Sequence, residues 1–410
     1  VNLTALGIGT IIGAGIFVLV GVAAHDIAGP AIMMSFVVSG LACVFAALCY
    51  AEFASMAPVA GSAFTYAYTT MGELFAWIIG WDLVLEYGVA SSTVAHGWSK
   101  YFQSFIGIFH LSLPDVLAQA PFDVNTDTGH LFLTGSIVDL PALVITVLLT
   151  IILVIGIRES ARFNAVMVLI KLSVVLFVLC VGAFYIHPEN WKPFAPYGWK
   201  GLSFFGDWFV WGQNAAGRPV GVLAGAGVVF FAYIGFDSVS TQAEEARNPK
   251  RDVPLASSLS LLICTAGYIG VAAVLTGMVP THQIDIEAPI ASAFKSVGLP
   301  WAQFAISIGA IAGITSVQLV LMLSLPRVML AMARDGLLPP AFFASVHPRF
   351  KTPWKSQILT GCAVALMASF MPLRLLCELV NIGTLLAFVM VCLAVVIMRR
   401  INPDAPRPFR

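Results

Sequence analysis

The chain is predicted to be an all-α polytopic membrane protein whose ten spans divide as five plus five, and three features of the sequence lead there. Apolar residues make up 59% of the 410 positions and charged residues only 10%, with a mean hydropathy of +0.92. Water cannot solvate a surface built from that mixture, because too few polar side chains exist to cover it. Runs of about 20 apolar residues, the length that crosses roughly 30 Å of hydrocarbon, recur along the whole chain. Two of these runs are interrupted at mid-span by glycine. The first reads GIGTIIGAGIF, with Gly7, Gly9, Gly13 and Gly15; the second reads GAGVVFFAYIGFDS, with Gly225, Gly227, Gly235 and the acid Asp237. Unwound backbone is tolerated in hydrocarbon only where it lines a cavity, so a pair of broken helices points to a substrate site.

In chain order the spans fall at about 3 to 24, 30 to 53, 74 to 99, 138 to 157, 162 to 186, 220 to 241, 256 to 279, 301 to 331, 354 to 371 and 375 to 398. The polar stretches 107 to 133 and 187 to 219 are the two long connections. Trp191, Tyr197, Trp199, Trp208 and Trp211 place part of the second along the membrane interface, and a short interfacial helix is expected at 288 to 297. Spans one and six are the broken ones, the first of each half. Because five is odd, the second half enters the membrane upside down relative to the first. The division is therefore 1 to 186 for the first half, 187 to 219 for an extracellular connection, 220 to 398 for the second half and 399 to 410 for a cytoplasmic tail. With the N-terminus cytoplasmic, fourteen basic residues, from Arg158 and Arg162 to Arg407 and Arg410, face inward. Six face outward: Lys100, Lys192, Lys200, Arg218, Lys295 and Arg374. That is the positive-inside bias of a cell-membrane protein. Val1 lies close to the first span, so a short leader or tail is expected ahead of it.

Composition also excludes several classes. Formal charge is zero, with 21 bases and 21 acids and no basic patch of the size nucleic acid requires. All seven cysteines lie in apolar segments with no CxxC pair, and read as small hydrophobes rather than disulfides or metal ligands. No HExxH or GxSxG arrangement is present, so no metal, cofactor or enzymatic role is expected. The glycine order GxGxxxGxG, without a βαβ unit around it, is not a dinucleotide fingerprint.

The breaks carry complementary chemistry. At Gly13-Ala14-Gly15, exposed backbone N–H groups and the positive ends of half-helices can hold a carboxylate without any arginine; close helix packing through Gly9 and Gly13 is the competing reading. At the second break, carbonyls freed near Phe231, Ala232 and Ile234 can accept from an ammonium, with Gly235 taking backbone angles barred to other residues. A zwitterion fits the pair. Asp237 reads either as a direct cation partner or as a gating or capping residue, and Phe231 and Phe236 either as lids or as packing.

Lys171, in NAVMVLIKLSVVLFVLCVG, has Met167, Val168, Val174 and Val175 around it. It lies about 14 Å past the basic Arg158 to Arg162 turn at 1.5 Å per residue, near mid-membrane. An ammonium there either pairs or gives up its proton, which makes Lys171 the candidate proton coupler; snorkelling is the alternative. Asp82 and Glu86 share one helical face at i and i+4 and read as a gate or proton-linked pair, or as a hydrogen bond between helices. Ser91, Ser92 and Thr93 can bond back to their own helix. Glu52 and Glu378, near span ends, are expected to meet inward basic residues or interfacial water. The mixed-charge stretch from Gln242 to Pro254 reads as solvated, with salt links that could close an inner vestibule.

Four segments, GIGTIIGAGIFVLVG at 7 to 21, YAEFASMAPVAGSAFTYAY at 50 to 68, FFAYIGFDSVSTQAEEARNPKRDVP at 230 to 254 and LPRVMLAMARDGLLP at 325 to 339, carry a family resemblance. Over essentially its whole length the chain resembles bacterial members of the amino acid-polyamine-organocation (APC) superfamily, in its cationic amino acid transporter branch. The resemblance implies the LeuT-like five-plus-five inverted repeat with discontinuous helices one and six. It also implies two further peripheral helices, before which this chain is read as truncated. It implies that a substrate carboxylate meets Gly13, Ala14 and Gly15, with Ile12 nearby, and that the amine meets carbonyls of Phe231, Ala232 and Ile234. Lys171 resembles the fifth-helix lysine of proton-coupled relatives. Glu86 matches the third-helix acid of the branch, while Asp82 departs from the asparagine more often expected there. The function expected is proton-coupled L-amino acid symport by alternating access, with a uniporter or an exchanger as the alternative. A membrane enzyme lacks a converging catalytic constellation, and a receptor or structural membrane protein would bind or assemble without accumulating substrate. The substrate's side chain stays open between neutral and cationic, as does a small membrane protein or a second copy as partner.

Overall fold

Apolar runs of this length satisfy their backbone polar groups most simply as helices, and the described residues of this chain are mostly helical. The computed structural model describes residues 2–56, 64, 67–68, 71–125, 130–156, 160–204, 209–214, 219–236, 249–401 and 403. The first span is split. Helix α1 (Asn2–Ile11) ends at the first glycine break, and the chain resumes through a π turn (Gly15–Leu19), α2 (Val20–Ala23) and a second π turn (Ala24–Ala28). Gly29, at φ +61°, turns it into α3 (Ile32–Met56). There follow α4 (Glu73–Gly107), α5 (Leu140–Ile155), α6 (Ser160–Gly182) and the short α7 (Val222–Val229). The second half continues with α8 (Pro249–Met278), α9 (Pro289–Ser296), α10 (Pro300–Arg334), α11 (Pro340–Phe343), α12 (Trp354–Phe370) and α13 (Leu373–Ile401).

Among the described residues, six stretches are long and apolar enough to cross a membrane alone: Gly15–Phe53, Glu73–Gly107, Val166–Tyr185, Arg251–Met278, Pro300–Arg334 and Leu373–Ile401. Leu140–Ile155 and Val222–Tyr233 are apolar but shorter. The distribution of side chains is that of a protein solvated by lipid. Phe45, Leu176, Leu262, Leu366 and Ile382 are exposed, whereas Lys171, Glu86, Asp139 and Gln318 are buried.

Packing follows a regular scheme. The strongest neighbours are α4 with α10, α3 with α8 and α4 with α13, followed by α5 with α12. The broken helix α1 packs on α8, and the broken helix α7 packs on α3. Likewise α13 packs on α4, and α6 on α10. Pro326 lies inside α10 and removes the N–H that would bond the Met322 carbonyl four residues back. Gln357 of α12 supplies the missing donor, its Nε2 lying 3.2 Å from that carbonyl. Ser92 and Thr93 bond back to Gly88 and Val89, as their position in an apolar helix requires, while Ser91 Oγ has no partner among the described residues.

The polar connections hold more order than their composition indicated. The first contains an antiparallel hairpin, β1 (Phe122–Val124) with β2 (Leu131–Leu133); the second contains β3 (Leu202–Phe204) with β4 (Phe209–Trp211). Pairing the strands satisfies backbone groups that would otherwise be orphaned beside the bundle. The short helix expected at 288 to 297 forms as α9, with Pro289, Ile290 and Phe294 turning one face into the core. Glu52 at the end of α3 meets Arg399 at the end of α13 through two contacts, 3.1 Å to Nε and 2.5 Å to Nη2. Glu378 meets Arg374 of its own helix, at 3.4 Å, rather than an inward base.

Candidate functional site

The two glycine breaks meet in the middle of the bundle. At the first, Ile12 N still donates to Ile8 O at 3.0 Å, after which Ile16 N and Phe17 N both turn to Gly13 O, at 3.2 and 3.3 Å. At the second, α7 tightens into a 3-10 turn (Phe230–Tyr233), Ile234 becomes extended, and Gly235 takes φ +103°. Both glycines are required by geometry. A Cβ on Gly15 would overlap Ala232 Cα and Cβ, so the breaks touch only because that atom is missing. Gly235 sits in the left-handed region, which other residues enter at a cost.

Two hydroxyls bridge the breaks, and neither was singled out by the sequence reasoning. Thr10 Oγ1 lies 2.9 Å from both Gly7 O and Gly235 O. Tyr268 Oη, from α8, lies 2.8 Å from Ile11 O and 2.6 Å from Ala232 O. A hydroxyl has one hydrogen, so each donates to one carbonyl at a time and leaves the other with acceptor capacity. Ala232 O is therefore available to a second donor. Phe231 O accepts from Ile234 N at 3.1 Å and keeps a lone pair.

Lys171 is fully buried, and its Nζ donates to Gly9 O and, at 3.1 Å, to Ile12 O. These are carbonyls that the break leaves without helical partners, at the negative end of α1. The ammonium thus sits where unwinding created acceptors, and Gly313 of α10 makes room for its stem.

The remaining candidates are arranged around the breaks rather than in them. Glu86 is buried on α4 beside Asp82, both facing Gly383 of α13, whose absent Cβ would lie 3.2 Å from Asp82 Oδ1 and 3.8 Å from Glu86 Cβ. Asp82 Oδ2 has no hydrogen-bond partner among the described residues. Gly97 is the α4 residue against Ala14, and Glu86 precedes it by about 16 Å of helix at 1.5 Å per residue. Glu86 is therefore outside the contact between the breaks. Phe236 lies directly after Gly235 in an aromatic cluster, 5.8 Å from Tyr50 and 5.1 Å from Phe388, ring centre to ring centre. Asp237 lies outside the described residues.

Gly13, Ala14, Gly15, Phe231, Ala232 and Ile234 are all buried, so the breaks are closed. A cavity of about 270 Å³ begins one turn beyond them, at Val18 and Val228, on the side away from the N-terminus. The β1–β2 hairpin, Lys100, His96 and the start of α13 wall it. Phe17, between Gly15 and Val18 in the chain, is fully buried, and its carbonyl accepts from Tyr101 Oη at 2.7 Å. Tyr268 and Thr10 could have been found as hydroxyl-bearing residues in otherwise apolar spans. Their pairing with both breaks could not, because Tyr268 comes from a different helix.

Comparison with known proteins agrees with this geometry. The amino acid permease family profile matches residues 1–410. The chain is 47% identical over 410 residues to the branched-chain amino acid permease BcaP of Bacillus subtilis (strain 168), covering 100% of this chain and 82% of that protein. It is 45% identical over 409 residues to the methylthioribose transporter of the same organism, again covering 100% and 82%. With the vacuolar cationic amino acid transporter 4 of Arabidopsis thaliana it shares 40% identity over 404 residues, 98% of this chain and 63% of that protein. These relatives are transporters, not enzymes, and the match runs through both breaks: the chain belongs to the amino acid permease family of the APC superfamily.

Proposed function

We propose that the chain is a proton-coupled L-amino acid symporter of the cell membrane, working by alternating access with its N-terminus in the cytoplasm. The observation that carries this reading is the meeting of the two breaks, with a buried ammonium on the end of the first. A zwitterion between them has backbone N–H groups at Gly13 to Gly15 for its carboxylate and carbonyls of Phe231, Ala232 and Ile234 for its amine. Lys171, while protonated, ties Gly9 O and Ile12 O and holds α1 against α6. Loss of that proton weakens the tie and frees α1 to move, which couples proton release to substrate release. Glu86, Phe236 and Asp237 serve in gating or selectivity.

The five-plus-five division, 1 to 186 and 220 to 398, has support in the packing. Adding or subtracting five exchanges the first-with-seventh contact for the second-with-sixth, and the third-with-tenth for the fifth-with-eighth. A pseudo-two-fold axis in the membrane plane produces such pairs. The positive-inside count supports the orientation. Buried apolar walls favour a small or medium neutral side chain, and the branched-chain permease among the relatives agrees with that. The test is reconstitution into proteoliposomes with an imposed pH gradient and labelled neutral amino acids, cationic amino acids and methylthioribose. Concentrative uptake of an amino acid that collapses with the gradient supports the proposal; uptake indifferent to the gradient identifies a uniporter or exchanger.

A further inference from the structure

His96 has no part in the contact between the breaks, yet it lines the cavity beyond them. It stands on α4, nearly buried, with each ring nitrogen facing an acceptor: Nδ1 is 3.1 Å from Asp139 Oδ2, and Nε2 is 2.9 Å from the Met371 carbonyl. Asp139 is itself fully buried and caps α5. Its Oδ1 already accepts from Ser99 Oγ at 2.6 Å and Ala142 N at 3.1 Å, and its own N–H donates to Ser369 O at 3.2 Å.

Counting hydrogens leads to one conclusion. A carbonyl can only accept, so Nε2 must carry a hydrogen to bond Met371 O. Oδ1 of Asp139 is filled by two donors, so Oδ2 faces Nδ1. If the ring is neutral with its hydrogen on Nε2, and the aspartate is ionised, the Nδ1 and Oδ2 lone pairs oppose each other in a buried site. A neutral ring with its hydrogen on Nδ1 serves Asp139 instead and leaves Nε2 with nothing to donate to Met371 O, so both contacts are bonded together only when the pair holds one more proton.

We propose that the His96–Asp139 pair is a second proton-binding site, separate from Lys171, whose proton clamps α4 to the start of α5 and to the turn between α12 and α13. The proton reaches it from the cavity, which both residues line. Other charged groups face that space. From the turn after α2 comes Asp26, paired with His25 at 2.5 Å; from α4 comes Lys100, paired with Glu287 at 2.5 Å; from β1 comes Asp123; and from α13 come Arg374 and Glu378, 3.4 Å apart, with the Cys377 thiol between them in sequence. Acids outnumber bases on this wall, Asp26, Asp123, Glu287 and Glu378 against Lys100 and Arg374. The clamp is complete when both ring nitrogens carry hydrogen; a neutral ring keeps one of the two bonds, and with its hydrogen on Nδ1 for the buried carboxylate it releases the Met371 carbonyl, at the turn from which α13 begins.

The experiment uses the full chain in lipid nanodiscs with ¹⁵N-labelled histidine. The difference between wild-type and His96→Gln spectra assigns the His96 signals. Should His96→Gln fail to fold, a variant with the other six histidines replaced leaves His96 as the one remaining histidine. Hydrogen on both ring nitrogens at the acid end of the titration, and on one alone at the alkaline end, is the expected result. A downward shift of thermal midpoint over the same range, absent in His96→Gln, is expected with it. A ring that carries one hydrogen across the whole range, or the same pH dependence in both proteins, overturns the proposal. Neither readout depends on transport, so a failure of the symporter reading is seen separately, in liposomes.

Discussion

Replacing Lys171 with methionine keeps the length of the side chain and removes its three donors. Gly9 O and Ile12 O then lose the ammonium that both accept from. A buried acceptor left unsatisfied costs about 1–3 kcal/mol, so the pair costs about 2–6 kcal/mol before any return from no longer burying a charge. Even the lower figure changes the population of the closed arrangement about 30-fold, since 1.4 kcal/mol is tenfold. The assay is paired: accumulation driven by a pH gradient, and exchange of labelled against unlabelled substrate without one. Accumulation by Lys171→Met is expected to fall at least tenfold further than exchange, because the coupling proton has lost its carrier. Lys171→Arg keeps the charge but cannot release a proton, and is expected to fail in accumulation as well. Gradient-driven accumulation at the wild-type level in Lys171→Met would refute the assignment of coupling to this residue.

Three other perturbations test the local arguments. Gly15→Val drives a side chain into Ala232, where overpacking costs about 1–3 kcal/mol, and substrate binding measured by scintillation proximity is expected to be abolished while the protein still elutes as a single species. Tyr268→Phe removes the hydrogen shared by Ile11 O and Ala232 O; at about 0.5–1.5 kcal/mol for one hydrogen bond, KM for uptake is expected to rise about 2- to 10-fold. Gln357→Leu leaves the Met322 carbonyl opposite Pro326 without its donor, so thermal stability in detergent is expected to fall, with the same pH profile of uptake as wild type.

The amino-acid sequence by itself determined the solvent, the helices and the places where they break. Apolar run length and scarcity of charge admit no other class, and Gly13, Gly15 and Gly235 mark the unwound positions because their lack of a Cβ acts locally. It also marked Lys171, since an ammonium among Met167, Val168, Val174 and Val175 is expensive wherever the helix packs. What Lys171 binds was not legible. The Gly9 and Ile12 carbonyls lie more than 150 positions away, and hydropathy carries no information about which helices become neighbours. The same holds for Tyr268 between Ile11 O and Ala232 O, for Gln357 repairing the Met322 carbonyl, and for His96 reaching Asp139 and Met371 O. The hairpins were missed for a related reason: polar connections show little periodicity, and the need to pair their backbone appears only once the bundle is beside them. Tertiary structure decided the partners, because hydrogen bonds between helices depend on three-dimensional proximity. The sequence decided where unpaired groups would arise, because those follow from the covalent backbone and its solvent.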